Sequence, residues 1–439
     1  MVNRKLTVWA GACALVTALG VAPAARAAGE EPVIEDVLEI LKERGIVDDG
    51  QYNELVAKHQ SWETKNGALL GRIEFFGDFR LRYENFWFDE DEFGNDRSNR
   101  NRMRYRLRIG GKAAINDYFD AVFRLGSGEN DHRSNNRTVG FDPDFGPDDV
   151  FIDQAYLAFK APKEWFPGVS LTATGGKVQN PFFWKGGKFD LLWDGDINPE
   201  GIALQLGYKP GEALNLFANG GYFIVKENGS NVDPHVLGLQ AGAIWSAGEQ
   251  VELGARLAWY SWRSLDDAFF TRAASFGSIR DGLTEGAPTN AAGAYNTGDL
   301  AVYVRLGGIE GWPILVYGQI AKNFDAQSSD LFGSAGKEDV GWGLGVEVGD
   351  KKKLVSLGVG YFALEANFWP AQFTDSDLLD GFTNRKGWAF YASREILPNT
   401  ELSVQLFVSD EIRPSPSSFA TSVSGSDRVR LQTDLLVKF

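Results

Sequence analysis

The residues with the most evident chemistry in this 439-residue chain are arginines set two apart. In the stretch NRMRYRLRIGGKA, Arg102, Arg104, Arg106 and Arg108 alternate with Met103, Tyr105, Leu107 and Ile109. In RIEFFGDFRLRY, Arg80 and Arg82 sit opposite Phe79, Leu81 and Tyr83, and Arg124 follows in a third such stretch. A period of two puts all of one set on one face of a strand. Guanidinium groups stay charged at any physiological pH, so a shared face of them needs carboxylates or anions close by. Two compensations are open. Carboxylates such as Asp190, Asp194 and Asp196, or Glu74, Asp78 and Asp120, could pair with them and set a transverse field. Otherwise passing anions could be handed along the row. Short sequence separation and the acidic balance of the chain favour the first.

A second group lies between residues 179 and 199. Asn180, Phe182, Phe183, Trp184, Lys185, Lys188, Asp190, Asp194 and Asp196 combine large rings with charges in one connection. A contiguous exposed apolar patch is unusual on a surface loop. The segment is therefore expected to fold inward, with rings against a wall and charges left at a constriction.

Nucleophilic and metal chemistry find little support. The histidines are His59, His132 and His235, and none stands at a recognisable spacing from a nucleophile. The single cysteine, Cys13, lies in an N-terminal stretch that reads as removed, so no thiol or cysteine metal site is expected. The acidic runs Asp89 to Glu92 and Asp142 to Asp149 do not match an EF-hand and read as solvated loops. An enzyme is not expected, nor any cofactor or metal.

The elements that must position these residues are strands. Besides the two arginine-rich stretches, alternation recurs near 118–127, 150–160, 169–178, 201–209, 214–225, 236–246, 250–262, 299–307, 313–323, 340–349, 353–365, 386–396, 400–410 and 428–439. Short turn signals such as Asn116-Asp117, Pro210-Gly211 and Gly349-Asp350 alternate with long connections at 88–100, 128–149, 179–199, 263–298, 324–338, 366–385 and 411–427. Strands of this length, apolar on one face and charged on the other, suit a wall between lipid and water. The expected fold is all-β: a transmembrane antiparallel β-barrel of about 16 strands over residues 71–439. The mean hydropathy of -0.23 is no objection, because lumen-facing residues offset lipid-facing ones.

Both ends add to this. Arg4 and Lys5, the apolar run Leu6 to Ala22 and Ala25-Arg26-Ala27 form a secretory signal, predicted to be cleaved after residue 27. Its loss removes three basic residues and takes the formal charge from -15 to -18, which argues against nucleic-acid partners. Residues 28–70 are predicted to be a short periplasmic helical segment, with Val33, Val37, Leu38, Ile40 and Leu41 at helical spacing. The last strand, RVRLQTDLLVKF, ends on the outward aromatic Phe439, where an unpaired edge would leave backbone groups unsatisfied in lipid. The ending resembles the signal recognised by the barrel assembly machinery.

The segments GRIEFFGDFRLRY, RYRLRIGGKAAINDYFDAVFRLGSG, TGGKVQNPFFW, DLLWDGDINPEGIALQL and FTDSDLLDGFTNRKGW resemble the Putative porin family of Gram-negative outer membranes, related to the phosphate- and polyphosphate-selective porins. The resemblance runs from about residue 33 to the end, with DGDINPEG and GKVQNPF its most specific parts. It implies a homotrimeric channel whose third extracellular loop narrows a water-filled pore. The expected function is passive diffusion of small hydrophilic solutes and ions. Expected partners are outer-membrane lipid and lipopolysaccharide. An anion- or phosphate-selective porin is one alternative. A sugar-selective one, with Phe182, Phe183 and Trp184 as a stacking surface, is another, and a barrel enzyme a remote third.

Overall fold

In the computed structural model the residues described are 41–44, 46–62, 72–88, 99–129, 131–184, 186–229, 232–248, 250–265, 295–309, 312–326, 336–413 and 427–439. The signal and the helical spacing over 33–40 lie outside them, as does Lys185. A helix, α1 (Asp49–Trp62), precedes the sheet. Its first turn is stabilised by reciprocal bonds between Asp48 and Gln51, each backbone N–H donating to the other's side chain.

The strands follow in order: β1 (Ile73–Phe88), β2 (Arg100–Ala114), β3 (Phe119–Ser127), β4 (Arg137–Thr138), β5 (Val150–Lys160), β6 (Val169–Lys177), β7 (Glu200–Tyr208), β8 (Leu214–Ile224) and β9 (His235–Ala247). They continue with β10 (Val251–Arg263), β11 (Tyr295–Ile309), β12 (Trp312–Asn323), β13 (Val340–Gly349), β14 (Ser356–Leu364), β15 (Arg385–Leu397), β16 (Thr400–Glu411) and β17 (Arg428–Lys438). β4 is two residues long and pairs with β2 inside a connection, while β3 pairs directly with β5. Sixteen staves remain, each antiparallel to its neighbours, and β1 pairing with β17 closes them into a barrel. Among the described residues each of the sixteen staves has a neighbour on both sides, as hydrocarbon demands. The β11 stave starts at Tyr295, earlier than the alternation alone indicates. Tyr295 to Gly298 read as loop by composition, yet pair with Trp262 to Trp259.

The alternation sorts as expected. Phe79, Leu81, Tyr83, Met103 and Ile109 are exposed on the outer face, while Arg82, Glu84, Arg104 and Arg106 are buried on the inner one. Phe439 completes the seam: its N–H donates to Gly77 O at 3.1 Å, and Gly77 N–H donates to Phe439 O at 2.8 Å.

The barrel is not hollow. Phe182, Phe223, Tyr260, Trp262, Trp193, Trp369, Phe362 and Phe407 form a buried apolar core inside it. Two connections supply the filling. One is 178–199, between β6 and β7. The other is 365–384, between β14 and β15, which the sequence pattern alone treated as an ordinary long connection.

The first inserted connection leaves the wall at a paired glycine position. Gly176 faces Gly201 across β6 and β7, with φ of +126° and +152°. A Cβ at Gly176 would lie 2.3 Å from Ala155 O, and one at Gly201 would lie 2.2 Å from Tyr222 O. Both contacts are with backbone, so neither yields cheaply. Gly176→Ala is expected to lower barrel stability by about 1–3 kcal/mol, read from the urea midpoint in lipid vesicles. An unchanged midpoint would mean the neck tolerates a side chain.

Candidate functional site: a lumen crossed by two inward segments

The 178–199 segment is held by local turns first. Asn180 Oδ1 accepts Phe182 N–H at 3.0 Å, Asp190 Oδ1 accepts Leu192 N–H at 2.9 Å, and Asp194 Oδ1 accepts Asp196 N–H at 2.7 Å. These short-range carboxylate and amide bonds replace the ladder bonds lost off the wall. Aromatic packing then fixes it across the lumen. Phe182 stands edge-on to Tyr260 at 5.2 Å and to Phe223 at 6.1 Å, while Trp184 lies 5.6 Å from Phe217 and 5.8 Å from Tyr303. Phe189 reaches Phe362 at 5.7 Å and Phe407 at 5.8 Å on the far wall. Phe183 is packed against the same core, and Lys188 is exposed.

The charged residues of the segment part company. Asp190 pairs with Arg256 of β10 at 2.8 Å, both fully buried, and Asp299 shares that guanidinium at 3.0 Å. Asp196 turns to the arginine wall and meets Arg108 at 3.0 Å and Arg106 at 3.3 Å. Burial pushes the Asp196 carboxyl up, but the charges of Arg106, Arg108 and Arg80 outweigh it and hold the group well below the usual range. Among the described residues Asp194 meets no arginine. Of the wall carboxylates, Asp78 pairs with Arg106 at 2.8 Å and Arg108 at 2.7 Å. Asp120 pairs instead with Lys160 and Lys112, and Glu74 stays exposed.

The remaining predicted arginines are each accounted for. Arg124 pairs with Asp153, and Arg102 with Glu84. Arg82 binds Asp434 and Asp377, each at 2.7 Å. Arg80 donates to Asn136 Oδ1 at 2.6 Å, and Arg104 to Asn136 O at 3.1 Å, so these two lean on the β3–β5 connection.

Barrel closure brings further members that the run of β1, β2 and β3 did not include. Arg430 of β17 reaches Glu84, and Arg428 reaches Asp380 at 3.3 Å. The 365–384 segment supplies the other acids. Asp377 contacts Arg82 and also Arg430 at 3.3 Å, and Asp380 contacts Arg430 at 3.2 Å. Burial raises both carboxyls, and the arginines beside them more than reverse it. The same segment inserts Trp369 at 5.2 Å from Trp193 and Phe373 stacked on Trp262 at 4.4 Å. The two segments also bond directly: Asp194 N–H donates to Phe373 O at 2.9 Å, and Ser376 N–H to Asp194 Oδ2 at 2.7 Å. The density of rings in ANFWPAQF was the available sign of this second insertion.

A closed sixteen-stave antiparallel barrel with lipid-suited outer rings and a charged, loop-crossed lumen defines a fold class, the porin-like β-barrel. The profile of the family described as "Putative porin" matches residues 91–277, which bears out the resemblance. The barrel is similar in fold to OprB of Pseudomonas putida, with a TM-score of 0.51 at 12% identity over 86% of this chain and 97% of that one. The outer-membrane channel DcaP of Acinetobacter baumannii gives 0.43 at 11% identity, over 84% of this chain and 97% of that one. The Rhodopseudomonas blastica porin, as a mutant, gives 0.42 at 11% identity, over 84% and 100%. No curated protein matches the chain in sequence.

Proposed function

We propose that the chain is a passive diffusion channel for small hydrophilic solutes and ions, narrowed by the 178–199 segment. The observation that carries this is the clamp of Asp196 on Arg106 and Arg108. It fixes the segment across the lumen from its aromatic anchorage. The polar groups left part-exposed at the site include Arg80, Arg102, Arg108, Arg124, Asp196, Asn198, Asp375 and Asp377, with Lys188 exposed. They give the path a mixed wall of both charge signs, and a transverse field that favours small polar solutes over apolar ones. Pairing between arginines and carboxylates supports this over an uncompensated anion row. Phe182 is fully buried and Trp184 is packed on Phe217 and Tyr303, which does not favour a sugar-stacking track.

The reading carries its setting with it: export by the 1–27 signal, a periplasmic 28–70 segment, assembly through the Phe439 end, and a homotrimer in lipopolysaccharide-bearing membrane. Reversal potentials in planar bilayers under a salt gradient test the channel. Neutralising Arg80, Arg108 and Lys188 to Gln is expected to move ion preference toward cations. Absence of conductance would refute the channel, and an unmoved preference would refute the role given to these side chains.

A further inference from the structure

We propose that Asn136 sets the charge preference of the path: it holds Arg80 and Arg104 by uncharged oxygens and so leaves both guanidinium groups their full charge. This rests on the channel reading above and names the residue that decides which small ions pass more readily. Across β1 and β2 the register puts arginine opposite arginine twice, Arg80 against Arg106 and Arg82 against Arg104. Like charges directly opposite one another destabilise a sheet. In each pair one member is matched by acids. Arg106 has Asp78 and Asp196, and Arg82 has Asp434 and Asp377. The other member is not: among the described residues Arg80 and Arg104 meet no carboxylate at ion-pair distance.

What both meet instead is one residue. Arg80 donates to Asn136 Oδ1 through Nε, at 3.2 Å, and Nη2, at 2.6 Å. Arg104 donates through Nη2 to Asn136 O at 3.1 Å and to Ser134 Oγ at 3.4 Å, and its buried Nε has no acceptor among the described residues. An amide oxygen and a peptide oxygen satisfy donors without cancelling charge. The guanidinium groups stay ionised, and with little water around them their field reaches further than at a surface. Their neighbours Arg82, Arg102, Arg106, Arg108, Arg124 and Arg430 all carry acid partners, so the surplus is local to Asn136.

The turn that carries Asn136 is fixed in place. Ser134, Asn135 and Asn136 are each no more than 3% exposed. Asn135 N–H donates to Asp196 Oδ2 at 3.3 Å, which ties the turn to the 178–199 segment. Arg133 Nη1 donates to Ala371 O at 2.7 Å and Gly381 O at 2.9 Å, and Ser376 Oγ donates to Arg133 O at 3.2 Å, which tie it to the 365–384 segment. Ser127 Oγ of β3 donates to Asn135 O at 3.0 Å. Held from three sides, Asn136 stays between the two guanidinium groups. Its Nδ2 donates to Ser134 Oγ at 3.0 Å, and a serine hydroxyl can donate as well as accept. An aspartate of the same shape therefore fits the site and supplies the missing counter-charge.

Reversal potentials of the whole chain in planar bilayers under a potassium chloride gradient test this. Asn136→Asp is expected to lower the anion-to-cation permeability ratio severalfold while current persists. Asn228→Asp makes the same charge change in the β8–β9 connection and is expected to leave the ratio where it was. Replacing Arg80 and Arg104 together by Gln, with Asn136 kept, is expected to move the ratio the same way as Asn136→Asp. That double variant decides the matter if the aspartate variant does not assemble. A conducting Asn136→Asp barrel with the wild-type ratio, an equal shift from Asn228→Asp, or an unmoved ratio in the double variant would each overturn the role of Asn136 and leave the channel standing. A folded wild-type barrel that never conducts overturns the channel reading itself.

Discussion

Trp193→Ala is expected to raise single-channel conductance severalfold and to destabilise the barrel by about 3–5 kcal/mol, the usual cost of emptying a buried aromatic site. Trp193 is 1% exposed and touches rings of the wall and of the other inserted segment. It stands 5.8 Å from Tyr260, 5.6 Å from Trp262, 5.2 Å from Trp369 and 6.1 Å from Phe373. Tyr260 and Trp262 belong to the wall, while Trp369 and Phe373 belong to the other inserted segment. One side chain thus joins both insertions to the barrel. Pairs of this kind add about 0.5–1.5 kcal/mol each beyond the area they bury. The two readouts separate the causes. A lower urea midpoint with unchanged current would mean the core stabilises the fold without holding the constriction. A rise in current would tie the rings directly to the width of the path.

Glu84→Ala is the second large effect. Glu84 is 0% exposed and is the common partner of Arg102 and Arg430, with Arg82 at 3.9 Å and Gln432 Nε2 donating to it at 3.0 Å. Removing the acid leaves buried guanidinium groups without their counter-charge, and breaking such a pair from one side costs about 3–5 kcal/mol. Glu84→Gln keeps the shape and one acceptor but not the charge. It should cost nearly as much if electrostatics dominate. Adding Arg102→Met to Glu84→Ala should recover part of the loss, giving a positive coupling in a double-mutant cycle. Equal midpoints for Glu84→Gln and wild type would show that hydrogen-bond geometry, not charge balance, stabilises this sector.

Much of this was legible in the residues because a wall between lipid and water repeats every two positions. Arg102 to Arg108 declared their face through Met103 to Ile109, and the long and short connections declared the rims. The inward course of 179–199 was legible for a different reason: Phe182, Phe183 and Trp184 are too apolar to sit together in water. The 365–384 segment carries a similar sign in Phe368, Trp369 and Phe373, diluted by Asp375, Asp377 and Asp380. Those acids look like a solvated loop until their partners are known, and Arg82 lies 295 positions away from Asp377. No local pattern encodes that distance. The backbone there is also unusual, with φ of +50° at Leu379 and +62° at Asp380, conformations that composition does not foretell. Asp190 shows the same limit: its proximity in sequence to the arginine wall suggested a partner there, and tertiary packing gave it Arg256.

The seam between β1 and β17 imposes an order in time. Arg82 and Asp434 are 352 positions apart, and Glu84 and Arg430 are 346 apart. The first stave to emerge during synthesis therefore waits for the last one before Arg82 gains Asp434 and Glu84 gains Arg430. Until then the sheet has two open edges, which invite wrong pairing or aggregation. Contacts of such separation also form slowly, because the intervening chain must be ordered first. Charge matching across the seam is thus a completion signal: Arg82 and Glu84 gain their last partners only when β17 has joined β1.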